Sequence, residues 1–140
     1  MSIRKITTPT VPEPSGEIFS NCLMVGDQIF LSGATASGPD GKAIGGDSME
    51  AQARAVMTKI RLLLEAAGAT LADVVKITIY VTDISRRAEL GKVRGEFFPG
   101  NKPCSTLVEI KALAGPDLLI EIDAVAIRDA SKPSSAESNS

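Results

Sequence analysis

The sequence predicts an α+β domain in which one sheet carries two amphipathic helices on one face. Three observations predict it. Short apolar runs alternate with two stretches of helical period, in the order β-β-β-α-β-α-β-β. A chain of 140 residues suits a single domain. Hydrophobic residues make up 44% of it and charged residues 23%, enough to build a core without disulfides or metal.

Taken in order, Ile3–Thr8 reads as a short strand, ended by Pro9, Pro12 and Pro14. Ser20–Val25 and Gln28–Ser32 are apolar runs joined by Gly26-Asp27, a two-residue hairpin signal. Ala34–Asp47 is rich in glycine and turn residues and reads as a surface loop. Asp47 or Ser48 suits a helix N-cap. Met49, Ala53, Val56, Met57, Ile60, Leu63, Leu64 and Ala67 then form one apolar stripe, closed by Gly68. In Val74–Thr82 the residues Val75, Ile77, Ile79 and Val81 point one way, and Lys76, Thr78, Tyr80 and Thr82 the other. A second helix is expected over Arg86–Phe98, with Ala88, Leu90, Val93 and Phe97 on its apolar face and Pro99-Gly100 as its stop. Two strands close the fold, Cys104–Ile110 and Leu118–Ile127, joined by a turn at Ala114–Asp117. The domain is expected to span residues 1–128. Residues 129–140 are expected to be a disordered tail, because Ser, Pro, Lys, Glu and Asn cannot repay their ordering entropy.

The last strand is apolar on both sides. Leu118, Ile120, Ile122, Ala124 and Ala126 face one way, Leu119 and Val125 the other. A strand of that kind is usually covered on both faces. Two helices cover only one, so the free face is expected to meet another subunit in a homo-oligomer.

Composition also excludes function classes. The net charge is -2, with no basic excess to meet phosphates, so no nucleic-acid partner is expected. There is no histidine, which removes the commonest general base, the commonest metal ligand and any Ser-His-Asp arrangement. No metal site is expected. No apolar run reaches the length of a membrane span. Cys22 and Cys104 lie far apart behind no signal-peptide pattern, so reduced thiols and a cytoplasmic location are expected.

Several residues carry two open readings. Glu121 and Asp123 interrupt the apolar run on one face. Either burial raises their pKa toward use as a base or a water holder, or they are outward-facing interface residues. Cys104, beside Ser105 and Thr106, is either a nucleophile or a packing residue. Ser32-Gly33 either lets backbone approach a ligand or simply turns. Arg86, Arg87 and Arg94 either grip a substrate carboxylate or are solvated. Cys22 and Tyr80 claim no more than packing.

Gly26-Asp27-Gln28-Ile29-Phe30-Leu31-Ser32-Gly33 resembles a signature of the Rid family of reactive-intermediate deaminases, also known as L-PSP endoribonuclease-like proteins. So do Leu64–Gly68, Asp73–Thr78 with Val81-Thr82-Asp83, Phe97-Phe98 before a Pro-x-x-Thr strand, and Leu119–Ala126. The resemblance spans Ile3 to Arg128. It implies a chorismate-mutase-like fold with one mixed sheet, assembled as a homotrimer around a central barrel with three intersubunit clefts. It also implies cofactor-free hydrolysis of a small enamine or imine to a carbonyl compound and ammonia.

By the same resemblance Glu121 positions the attacking water, and Ser32 and Gly33 form the binding loop. The family's tyrosine falls on Phe19, its helix asparagine on Gly91 and its carboxylate-binding arginine on Ser105. Loss of that clamp removes an interaction of about 2–5 kcal/mol. The chain is therefore similar to divergent subfamilies that lack the typical arginine. The implied substrate is of the 2-aminomuconate kind rather than 2-aminoacrylate, with Ser105, Thr106 and Cys104 lining the cleft and Arg94 replacing the clamp. The other reading is a non-catalytic trimer that binds small metabolites or acts as a holdase.

Overall fold

The computed structural model describes residues 2–133. Six strands form one mixed sheet: β1 (Ile3–Lys5), β2 (Cys22–Val25), β3 (Gln28–Thr35), β4 (Val74–Val81), β5 (Cys104–Glu109) and β6 (Ile120–Ile127). Their spatial order is β1-β2-β3-β6-β4-β5. All neighbouring pairs are antiparallel except β4 with β5. That parallel pair needs a crossover, which helix α2 (Arg87–Phe97) supplies. Helix α1 (Met49–Ala66) packs on β3 and β6 and against α2. The architecture is the α+β sheet-and-helices arrangement expected.

Ser48 caps α1, its hydroxyl accepting from Ala51 N–H at 3.1 Å. The predicted stripe of α1 is buried, from Met49 to Ala67. Opposite it lie the inner rows of the sheet: Met24, Ile29, Ile77, Ile79, Ile120, Ile122, Ala124 and Ala126, each 2% exposed or less. The second helix begins one residue later than expected, after a 3₁₀ turn at Ile84–Arg86. Ala88 is exposed rather than inward, and α2 anchors itself by Leu90, Val93 and the following Phe98.

Val75 is the other departure. In the pairing of β4 with β6, Val74 faces Ala126 and Lys76 faces Val125, so Val75 is an extra residue. This bulge turns Val75 outward, 37% exposed, where simple alternation places it in the core. Beyond residue 128 the described residues form turns. Ala130 N–H bonds Ile127 C=O, and Ser131 N–H bonds Asp73 Oδ1 at 2.9 Å. The rest of the expected tail, 134–140, lies outside the described residues.

One buried polar residue stitches the loops to the core. Gln52, fully buried on α1, donates to Gly46 C=O at 2.7 Å and Asp117 C=O at 2.9 Å, and accepts from Leu119 N–H at 2.9 Å. It ties the loop before α1 to the turn before β6. Gln52→Leu leaves three backbone groups without partners, and we expect a loss of about 3 kcal/mol in urea denaturation. A loss below about 1 kcal/mol would mean that these loops find other partners.

Candidate functional site

The helices cover one sheet face and leave the other open. Register assigns Leu23, Phe30, Val125, Lys76, Thr78, Asp123, Tyr80, Glu121, Cys104, Thr106 and Val108 to that open face. Phe30, Val108 and Ile127 remain exposed there. Among the open-face residues Glu121, Asp123 and Tyr80 form a polar row on adjacent strands.

Glu121 sits in the middle of the sheet, opposite Thr35 on β3 and Tyr80 on β4. A bulge shapes its surroundings. Leu31 pairs with Ala124 and Ala34 with Ile122, so Ser32 and Gly33 together oppose the single residue Asp123. Ser32 turns its hydrogen bonds away from β6: its N–H donates to Asn21 C=O at 2.9 Å and its hydroxyl to Ser20 C=O at 2.6 Å. Gly33 leaves space that the Glu121 side chain fills. A Cβ on Gly33 would lie 2.6 Å from Glu121 Oε2 and 2.7 Å from its Cδ. A side chain at position 33 would therefore displace the Glu121 carboxylate from where it lies.

Burial raises the Glu121 pKa above the ordinary glutamate value, and the charge of nearby Asp123 adds to the rise. Asp123 accepts from the Tyr80 hydroxyl at 3.1 Å, and that bond holds the Tyr80 proton on, raising its pKa. Tyr80 thus does more than pack. Its hydroxyl steadies the carboxylate next to Glu121, a role visible only once register pairs β4 with β6.

Phe19 is 48% exposed, one residue before the carbonyl that anchors Ser32. Ser32, Gly33 and Glu121 are thus brought together, with Phe19 on the adjoining segment.

The remaining expected residues lie elsewhere. Ser105 pairs with Ile77, a core residue, so it faces the helix side near the sheet edge. Its hydroxyl accepts from Arg94 Nη2 at 2.7 Å. Arg94 and Gly91 line a cavity of about 360 Å³ together with Ile77, Gly95, Phe98, Lys102 and Pro103. Lys102, Gly95 and Phe98 were not singled out by sequence, because they look like loop, helix filler and helix end. Cys104 and Thr106 lie on the open face, beside Lys76 and Thr78. Ser105 and Glu121 are separated by the sheet itself: Tyr80, the partner of Glu121, lies three residues along β4 from Ile77, about 10 Å. One chain does not join these two groups.

The other candidates resolve more simply. Arg86 bonds both carboxylate oxygens of Glu89 and the Asp47 carbonyl, so it fastens the start of α2. Arg87 is exposed. Burial, helped by Glu13, pushes the Cys22 thiol up to about 11, so it is a packing residue. Among the described residues no group of three or more His, Cys, Asp or Glu side chains could hold a metal ion. Nor is any helix there long and apolar enough to cross a membrane.

Comparison with known proteins places this geometry in a family. The family model described as endoribonuclease L-PSP matches residues 10–128. A RutC family protein of Pyrococcus abyssi is 37% identical over 92% of this chain and 100% of its own. A solved structure of a YjgF/YER057c/UK114 family member from Mycobacterium tuberculosis is 38% identical, with a TM-score of 0.76, covering 90% of this chain and 99% of that one. A Rid family protein of unknown function from Yersinia pestis superposes with a TM-score of 0.83 at 28% identity, over 90% of this chain and 99% of that one. The match covers nearly the whole described sheet and both helices, and the chain belongs to the endoribonuclease L-PSP family, the Rid group that its motifs resemble.

Proposed function

We propose that the chain is a cofactor-independent hydrolase that releases ammonia from an enamine or imine in clefts between the subunits of a homotrimer. One observation carries this reading: Glu121, half-buried with a raised pKa, is pressed onto Gly33 on the sheet face that no helix of the described residues covers. Such a carboxylate can hold a water and take its proton near neutral pH. The water oxygen bonds to the C=N carbon of the imine tautomer, and Glu121 accepts the water proton. Glu121 passes that proton to nitrogen, giving a carbinolamine; it then carries the hydroxyl proton to nitrogen as well, the C–N bond breaks, and ammonia leaves as the carbonyl forms. Oxidation states do not change, so the step calls for no redox partner.

The cleft is composite in this proposal. Glu121, Ser32 and Gly33 belong to one subunit. Arg94, Ser105 and the α2 cavity belong to its neighbour, whose sheet edge meets the open face. The exposed apolar residues Phe30, Val108 and Ile127 support that burial between copies. The family description names an endoribonuclease. A net charge of -2 and the absence of histidine favour a small metabolite over RNA.

Glu121→Gln tests the chemistry. Ammonia release from imino acids generated in situ should fall by about 10²-fold or more, as expected for loss of a positioned base. In the wild type the rate should fall on acidification at a pH above that of an ordinary glutamate, because ionised Glu121 is required and its pKa is raised. The same shift has a stability sign. A carboxyl whose pKa is raised on folding stabilises the protein below its unfolded pKa, and that contribution is lost as pH rises through the folded pKa. At pH 8 Glu121→Gln should therefore match or exceed the wild-type melting temperature. Unchanged turnover in Glu121→Gln would sink the role of Glu121, and binding without ammonia release by the wild type would put the non-catalytic reading in its place.

A composite cleft predicts complementation between inactive variants. Glu121→Gln and Arg94→Met, each of low activity alone, should recover roughly one quarter of wild-type turnover when unfolded and refolded together, because random trimers assemble some clefts from two intact halves. Absence of recovery in verified mixed trimers would place the whole site within one chain.

A further inference from the structure

We infer that the cavity between α2 and the start of β5 selects substrates carrying two anionic groups, with Arg94 holding one and Lys102 the other. This deepens the deaminase reading and rests on it for the identity of the reaction.

Four of the seven arginines are ion-paired among the described residues, and of the other three Arg4 and Arg87 are exposed while Arg94 is half-buried. Arg54 ends on Glu50 and Glu96, Arg61 on Glu65, Arg86 on Glu89 and Asp47, and Arg128 on Asp27. Their charges are largely neutralised where they lie. Arg94 is half-buried, yet its partner is a neutral hydroxyl, Ser105 Oγ. Lys102 is anchored to a neutral group too, the Phe98 carbonyl. Neither is paired with a carboxylate among the described residues. Each is thus held in place while keeping its charge, and both line the same cavity.

The cavity is also cleared for a ligand. Its volume of about 360 Å³ suits a small metabolite. Two of its wall residues, Gly91 and Gly95, lie one turn apart on α2, and a Cβ at either would meet nothing within 4 Å. Glycine costs a helix about 1 kcal/mol relative to alanine at each such position. The helix carries that cost twice on the one face that borders the cavity. Buried Ile77 and Phe98 supply an apolar part of the wall that Arg94 and Lys102 also line. Two cations free of carboxylates on one small cavity match a short chain with two acids better than a monoacid such as 2-aminoacrylate.

The test uses product-like 2-oxo acids, so that binding is read apart from turnover. Isothermal titration at low salt should give 2-oxoglutarate a Kd at least tenfold below that of 2-oxobutyrate. Lys102→Met should bring that ratio close to one, and Arg94→Met should weaken both ligands by tenfold or more. Gly95→Leu, a change that favours helix, should abolish binding of both while the melting temperature holds or rises. Equal affinity for the two acids in the wild type, no binding of either, or a preference that survives Lys102→Met would overturn the inference. A protein with the preference but no ammonia release keeps the dianion site and loses the deaminase reading. One that turns over monocarboxylate imines without the preference does the reverse.

Discussion

The constraint on which everything else depends is that a sheet has two faces and this chain has helices for one. On β6 the consequence is written residue by residue. Ile120, Ile122, Ala124 and Ala126 are buried on the helix side, part of the apolar core whose burial from water is the main stabilising term of a domain. The alternate positions, Glu121, Asp123 and Val125, are half-buried on the other side. Alternation therefore forces the carboxylates onto the uncovered face of a strand whose inner face cannot move. A carboxylate so placed loses part of its hydration but keeps access to solvent or ligand. That is the condition under which its pKa rises without its becoming inert.

Two irregularities adapt this frame to a site, and both lie beside β6. The bulge at Ser32-Gly33 gives β3 an extra residue just where Glu121 needs room, and Ser32 pays no hydrogen-bond penalty because Ser20 and Asn21 accept its donors. The bulge at Val75 turns that side chain outward at the start of β4, and the regular pairing beyond it sets Tyr80 opposite Glu121, within reach of Asp123.

Much of this was legible in the sequence, for identifiable reasons. The stripe from Met49 to Ala67 and the alternation on Leu118–Ile127 are periodic signals, and both locate buried faces correctly. Glu121 stood out because an ionisable group in an apolar run is unusual. Val75 was misplaced because a bulge breaks the period without changing composition. Tyr80 was read as packing because its value lies in its strand partners, which no local pattern encodes. The face of Ser105 was equally hidden. An edge strand with six residues and mostly exposed side chains has no alternation to read, so its parity is set only by the register with β4. Lys102 follows a helix stop and precedes a proline, and only the fold brings it back toward Arg94.

The two halves of the proposed cleft are held by different physics, and this bears on how they respond to change. Glu121 is fixed by strands on both sides and by the Gly33 contact. Arg94 depends on α2, an eleven-residue helix that carries two glycines and lacks a side-chain N-cap bond. Such a helix is marginal by itself. Its position comes from Leu90, Val93 and Phe98 in the core, and from Glu96, which reaches Arg54 on α1 at 2.7 Å. That exposed ion pair adds little stability, on the order of 0–1 kcal/mol. It links α2 to α1 at the turn that carries Arg94 and Gly95. The acidic half is thus built into the most rigid part of the sheet. The cationic half rides on the element most easily retuned, and that is where the proposed cleft has room to change what it binds.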